Sequence, residues 1–122
     1  MCGIIGINSI KPVSSSIINS LKKLEYRGYD SAGIATLSDG SINEVKCEGR
    51  VNNLEKNSLV QNMQGTIGIG HVRWATHGLP NSINAHPHSS INVSVVHNGI
   101  IENSTLLKKF FVSKGHKFKS QT

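Results

Sequence analysis

The chain has 122 residues, enough for one domain with a single modest core and too few for two. Apolar residues make up 37% and glycine occupies 12 positions, which suits a turn-rich globular protein and excludes a disordered one; no stretch approaches membrane-span length and no export signal opens the chain, so a cytoplasmic protein off the membrane is expected. The 13 Lys and Arg against 7 Asp and Glu give a net charge of +6, but Lys108, Lys109, Lys114, Lys117 and Lys119 crowd the C-terminal end without the aromatic interleaving that stacks bases, so a solvated face is expected and nucleic acid is not.

In chain order, GIIGIN (Gly3 to Asn8) is short, apolar and β-branched and predicts a buried strand. Ser14, Ser15 and Ser16 offer N-caps to a helix carrying Ile17, Ile18, Leu21 and Leu24 and ending near Tyr26. GIATLS and SINEVKCEG flank Asp39-Gly40, a turn dipeptide that tolerates positive φ, and predict a hairpin. Val51 to Met63 has weak helical spacing and reads as a poor helix or a loop. TIGIGHVR and INVSVVHNG predict two further strands, joined by the long polar connection WATHGLPNSINAHPHSS; such a connection in a small domain is usually functional. Asn103 or Ser104 can cap a helix with Leu106, Leu107, Phe110 and Phe111 on one side and Gly115 as its stop, and KFKSQT reads as the beginning of a strand. Strands and helices in this order predict an α+β architecture, a sheet backed by helices.

Several segments carry groups suited to chemistry. Cys2 lies directly behind Met1; if the methionine is removed, a thiol and a free α-amine share one Cα, and the amine can take the thiol proton. If it stays, Cys2 is an ordinary residue near a chain end. A Cys2–His dyad lacks the buried context such nucleophiles have. Cys2 and Cys47 are the two cysteines, with no CxxC pair, so neither a disulfide scaffold nor a zinc finger is expected. HVRWATHG places Arg73, Thr76 and His77 together after a strand, a donor fork and a hydroxyl suited to a carboxylate; a surface Arg with Trp74 anchoring the loop is the other reading. Asn98-Gly99 is by local sequence a turn, although a side-chain amide beside a backbone N–H also makes an oxyanion site. His86 and His88 flank a proline and, with His71 or Cys47, would form an incomplete metal set; packing or hydrogen bonding is the better reading. LEYRGYDSAGIA reads as a structural turn forming the wall of a site, with Arg27 and Asp30 as an internal ion pair.

Taken together, MCGIIG, EYRGYDSAGIA, HVRWATHG, NAHPH and VVHNGIIEN, collinear along the whole chain, resemble the glutaminase domain of the isomerising glutamine:fructose-6-phosphate aminotransferases, a branch of the class II glutamine amidotransferases. The resemblance implies an N-terminal nucleophile hydrolase fold, a four-layer αββα sandwich that would be incomplete here. It implies Cys2 as nucleophile with its α-amine as base, and Asn98 and the Gly99 N–H as the oxyanion hole. Arg73, Thr76 and His77 would hold the glutamine α-carboxylate, Trp74 would sit in a closing loop, and His86 would lie near that loop. No metal or organic cofactor is implied.

On the same resemblance, residues 2–122 are an N-terminal part of the glutaminase domain, with the sugar isomerase domains absent. Glutamine is the expected substrate, and fructose 6-phosphate would be reached only through those absent domains. The resemblance also places an acidic residue, holding the α-ammonium group, directly after FKSQT, where this chain stops at Thr122. A chain of this extent is expected to hydrolyse glutamine weakly, or to act as a non-catalytic subunit completed by a complementary downstream polypeptide.

Overall fold

A computed structural model describes all 122 residues. The elements are β1 (Gly3–Asn8), α1 (Ser14–Leu24, continued by a 3-10 turn at Glu25–Arg27), β2 (Ser31–Ser38), β3 (Ser41–Glu48), α2 (Val51–Glu55), α3 (Ser58–Gln61), β4 (Ile67–Arg73), β5 (His88–Ser89), β6 (Ser94–Val95) and α4 (Ser104–Ser113). Four strands form one antiparallel sheet in the order β1-β4-β2-β3, and β5 pairs with β6 in a separate two-stranded ribbon.

Side-chain alternation divides the large sheet into two faces. Ala32, Ile34, Val45 and Val72 point toward the helices and pack with Val13, Ile17, Leu21, Val51 and Leu54 in the core. Full burial of each Val, Leu or Ile side chain among them stabilises the fold by about 1.5–3 kcal/mol. Gly68 and Gly70 of β4 face α1, where an added Cβ on Gly70 would lie 2.5 Å from Ile17 Cγ2, so the missing side chains let the helix settle close to the sheet. The intervening residues of β4, Ile69, His71 and Arg73, point to the opposite face.

The hairpin between β2 and β3 forms as the sequence predicts, with Asp39 at φ 49° and Gly40 at φ 74°, the two positive angles of a tight primed turn. Helix α1 also matches, but its N-cap is Val13 rather than a serine, and Ser14 bonds instead to the Met63 carbonyl at 3.5 Å. The Val51–Met63 region resolves into two short helices, each presenting one buried apolar residue or two to the core. The strand expected over INVSVVHNG shrinks to Ser94–Val95, and KFKSQT forms none. Backbone pairing makes a strand, and these stretches have no long partner to pair with.

No residue beyond Pro87 is buried. Helix α4 ends at Gly115 as expected (φ 88°), yet Leu106, Leu107, Phe110 and Phe111 remain 40–70% exposed. The accessible surface of 7844 Å2 exceeds the roughly 6400 Å2 of an ordinary monomer of this mass. The helical layer and one sheet of the implied sandwich are therefore built, whereas the second sheet is represented only by the β5–β6 ribbon.

Candidate active site

The register of β1 against β4 pairs Gly3 with Val72 and Ile4 with His71, both strands running antiparallel. Gly3 and Val72 face the helices, where a Cβ on Gly3 would meet Leu24 at 2.9 Å. Alternation therefore turns Cys2, Ile4, His71 and Arg73 onto the opposite face, at the end of the sheet where β4 exits into the WATHG loop. The Cys2 sulfur lies 3.4 Å from the Trp74 N–H and 3.7 Å from the Trp74 carbonyl.

The glycine-rich turn after α1 braces this junction. Gly28 packs against the Arg73–Trp74 peptide so closely that a Cβ would come within 2.7 Å of it. Arg27 Nε donates to the Cys2 carbonyl at 3.0 Å. Asp30 accepts from the Ala75 N–H and from the Ser31 hydroxyl, while its own N–H donates to the Arg73 carbonyl at 3.1 Å. The expected Arg27–Asp30 ion pair does not form, because each side chain is engaged by the main chain on either side of Cys2; the turn itself forms the wall of the site, as the sequence suggests. Tyr29 stacks edge-on against Trp74, ring centroids 5.6 Å apart.

Arg73 is buried, and its guanidinium donates to the Leu79 carbonyl at 3.0 Å and to the carbonyls of His77 and Gly78. It thus organises the loop bearing Thr76 and His77. Those two residues, with Tyr29, Asp30 and Trp74, line an open cleft of about 490 Å3. Asn84, the first residue of NAHPH and not among the expected site residues, is 1% exposed and bonds to Leu79 O, Gln121 Oε1 and the Gln121 N–H, tying the loop to the C-terminal residues. A single asparagine in a polar loop carries no local signal of this bracing role.

Asn98 and Gly99 lie beside the same sheet face. The Asn98 carboxamide oxygen is 2.8 Å from His71 Nε2, and Gly99 adopts φ 151°, where a Cβ would also press on the His97 ring at 3.0 Å. His86 stacks on His71 with ring centroids 4.6 Å apart and contacts His88 at 4.5 Å. Burial lowers the His71 pKa to about 4 and the His86 pKa to about 3, the latter aided by the positive field of His71, His88 and Arg73. No group of three or more His, Cys, Asp or Glu has metal-holding geometry, and both cysteines are free thiols. His71, read from sequence only as a member of a metal set, instead joins β4 to Asn98.

No protein-family model matches the chain. The whole chain is 58% identical to glutamine–fructose-6-phosphate aminotransferase [isomerizing] of Clostridium acetobutylicum, and 53% and 51% identical to the enzymes so named from Mesorhizobium japonicum and Agrobacterium fabrum. It spans about 20% of the length of each of these relatives. Among solved structures, glutamine phosphoribosylpyrophosphate amidotransferase from B. subtilis superposes over the whole chain with a TM-score of 0.84 at 26% identity, the chain covering 27% of it. A structure described as the allosteric regulatory enzyme of purine biosynthesis also gives a TM-score of 0.84, at 27% identity, over 98% of this chain and 27% of its own. The sheet, the helices on one face and the matched sequence make this chain a member of the N-terminal-nucleophile glutamine amidotransferases, corresponding to the N-terminal region of the isomerising glutamine–fructose-6-phosphate aminotransferases.

Proposed function

We propose that the chain hydrolyses glutamine to glutamate and ammonia with Cys2 as nucleophile. The observation that carries this is the position of Cys2 at the sheet end, its sulfur against the Trp74 N–H and beside the cleft of the Thr76–His77 loop. Removal of Met1 converts the Cys2 nitrogen from an amide to an amine with a basic lone pair. That amine takes the thiol proton, and the sulfur attacks the side-chain carbonyl carbon of glutamine, forming a C–S bond as the carbonyl electron pair moves to oxygen. The Asn98 amide and the Gly99 N–H stabilise that oxyanion. Collapse breaks the C–N bond; the α-ammonium returns its proton to the leaving ammonia. Water then adds to the γ-glutamyl thioester, the amine again accepting a proton, and glutamate leaves as the thiol is restored.

Thr76 and His77 line the pocket for the substrate α-carboxylate, Arg73 supplies positive charge and shapes the loop, and Trp74 forms part of its wall. His86 supports this arrangement by stacking under His71. The relatives are named for amination of fructose 6-phosphate, and their length leaves that half of the reaction to residues beyond those matched here. A cytoplasmic setting fits such chemistry; no helix is long and apolar enough to cross a membrane. Glutamate release from glutamine by Met1-free chain, absent in Cys2→Ala, tests the proposal. Absence of release both alone and with a downstream polypeptide of a relative overturns it.

One observation favours a second reading. The exposed apolar side chains of α4 and of Ile91, Val93, Ile100 and Ile101 form a surface that water disfavours. On that reading the chain is a subunit without activity of its own, completed by a complementary polypeptide. Turnover that appears only on mixing the two supports it, and full turnover by the isolated chain refutes it. In either case the chain alone is expected to form no glucosamine 6-phosphate.

A further inference from the structure

The segment bearing Asn98 belongs to no regular element, the nearest strand being the two-residue β6. What holds it is a set of histidines. His71 on β4 is 1% exposed and lies in register with Ile4 on one side and Gly33 on the other, so the sheet fixes its position from both edges. His86 stacks on it at 23° between ring planes, and the His97 N–H donates to His86 Nδ1 at 3.3 Å. His71 Nε2 then meets the Asn98 carboxamide at 2.8 Å.

The proton on His71 decides which way that carboxamide points. Its Nδ1 is buried with no hydrogen-bond partner. A carboxamide oxygen only accepts, so with Oδ1 on the ring the proton must sit on Nε2, leaving a bare lone pair at Nδ1. Turning the carboxamide over would offer an N–H to Nε2 and force the proton onto Nδ1, creating a buried donor with no acceptor, the costlier arrangement. The Nε2–H tautomer and the carboxamide orientation that puts Oδ1 on the ring therefore select each other.

We propose that His71 is a positioning residue for Asn98: its Nε2–H holds the carboxamide oxygen, so that the amide N–H groups are presented toward the carbonyl oxygen attacked by Cys2. The inference rests on the reading of Asn98 as an oxyanion donor. It assigns His71 no contact with substrate.

Two measurements on the Met1-free chain, with its complementary polypeptide where turnover requires one, test it. Long-range 15N NMR of the imidazole is expected to show the Nε2–H tautomer, with the Asn98 side-chain amide resonances displaced in His71→Phe and restored in His71→Gln, which keeps a donor. In glutamine hydrolysis, His71→Phe is expected to lower kcat roughly 10- to 100-fold with KM within about 2-fold, and His71→Gln to recover most of the loss. An Nδ1–H tautomer, or folded Phe and Gln variants of equal kcat, overturns the positioning role. An Asn98→Ala variant with unchanged kcat instead overturns the oxyanion reading of Asn98, and the NMR result separates the two failures.

Discussion

The main-chain N–H of Trp74 is directed at the Cys2 sulfur across 3.4 Å, joining residues 72 positions apart in sequence. That backbone donor is supplied by the same loop that lines the cleft. An electrophilic glutamine analogue is accordingly expected to add its mass to Cys2 of the Met1-free chain and to leave Cys47 unmodified, because burial raises the Cys47 pKa. Intact-mass and peptide mapping check this. Equal labelling rates with and without Met1 would remove the α-amine from its role as base.

Arg73 is expected to matter for stability as well as for substrate. Its guanidinium donates to the carbonyls of His77, Gly78 and Leu79, and a hydrogen bond from a charged group contributes about 1.5–3 kcal/mol. Arg73→Ala should lower the unfolding free energy by roughly 3 kcal/mol and raise KM for glutamine; Arg73→Lys should keep the charge but lose the fork, and fall between. Urea unfolding with steady-state kinetics measures both. A wild-type urea midpoint for Arg73→Ala would show that the loop does not depend on it.

Gly70 is where α1 approaches β4 most closely, and a Cβ there would lie 2.5 Å from Ile17 Cγ2 and 3.0 Å from Leu21 Cδ1. Gly70→Ala should cost about 1–3 kcal/mol through overpacking. Trimming the neighbour, in Gly70→Ala with Ile17→Val, should cost less than the sum of the single changes. Strict additivity in urea unfolding would place the strain elsewhere.

The stacked histidines give the fold an acid sensitivity. An unfolded histidine binds its proton near pH 6.5, whereas native His71 and His86 wait until about pH 4 and about pH 3. Between those values the unfolded state holds more protons, so stability is fully present above pH 6.5 and falls as pH drops, by about 1.4 kcal/mol per unit for each fully titrating ring. Around them His88, His97, Arg73 and Lys46 oppose protonation, while Asp30 and Glu44 favour it and do not outweigh burial. The urea midpoint is expected to drop between pH 7 and pH 5, before most carboxylates titrate. A flat profile over that range would mean the rings are not desolvated in solution.

Elements governed by short-range pattern were legible in the sequence. The Ile17–Leu24 spacing placed α1 within a residue or two, and Asp39-Gly40 predicted the hairpin because the two left-handed backbone angles select those residue types. Structure that depends on a distant partner was less legible. Residues 91–97 have strand composition, but a strand exists only where another pairs with it, and two residues do. Arg27 and Asp30, three apart and opposite in charge, suggested an ion pair; each bonds instead to main chain brought in from elsewhere.

By itself the sequence determined the chemical inventory: a thiol behind the initiator methionine, a fork of donors with a hydroxyl in HVRWATHG, and an Asn-Gly pair, in an order that marks the family. Only the tertiary structure decided how they meet. Period-2 alternation is local and says that Cys2, His71 and Arg73 each face away from their chain neighbours, but not that they face the same way. That depends on the register of β1 against β4, whose residues are far apart in sequence and are aligned by burying Gly3 and Val72 together under α1. The burial that sets this register also leaves His71 desolvated beside Asn98, and no count of residues along the chain could have placed it there.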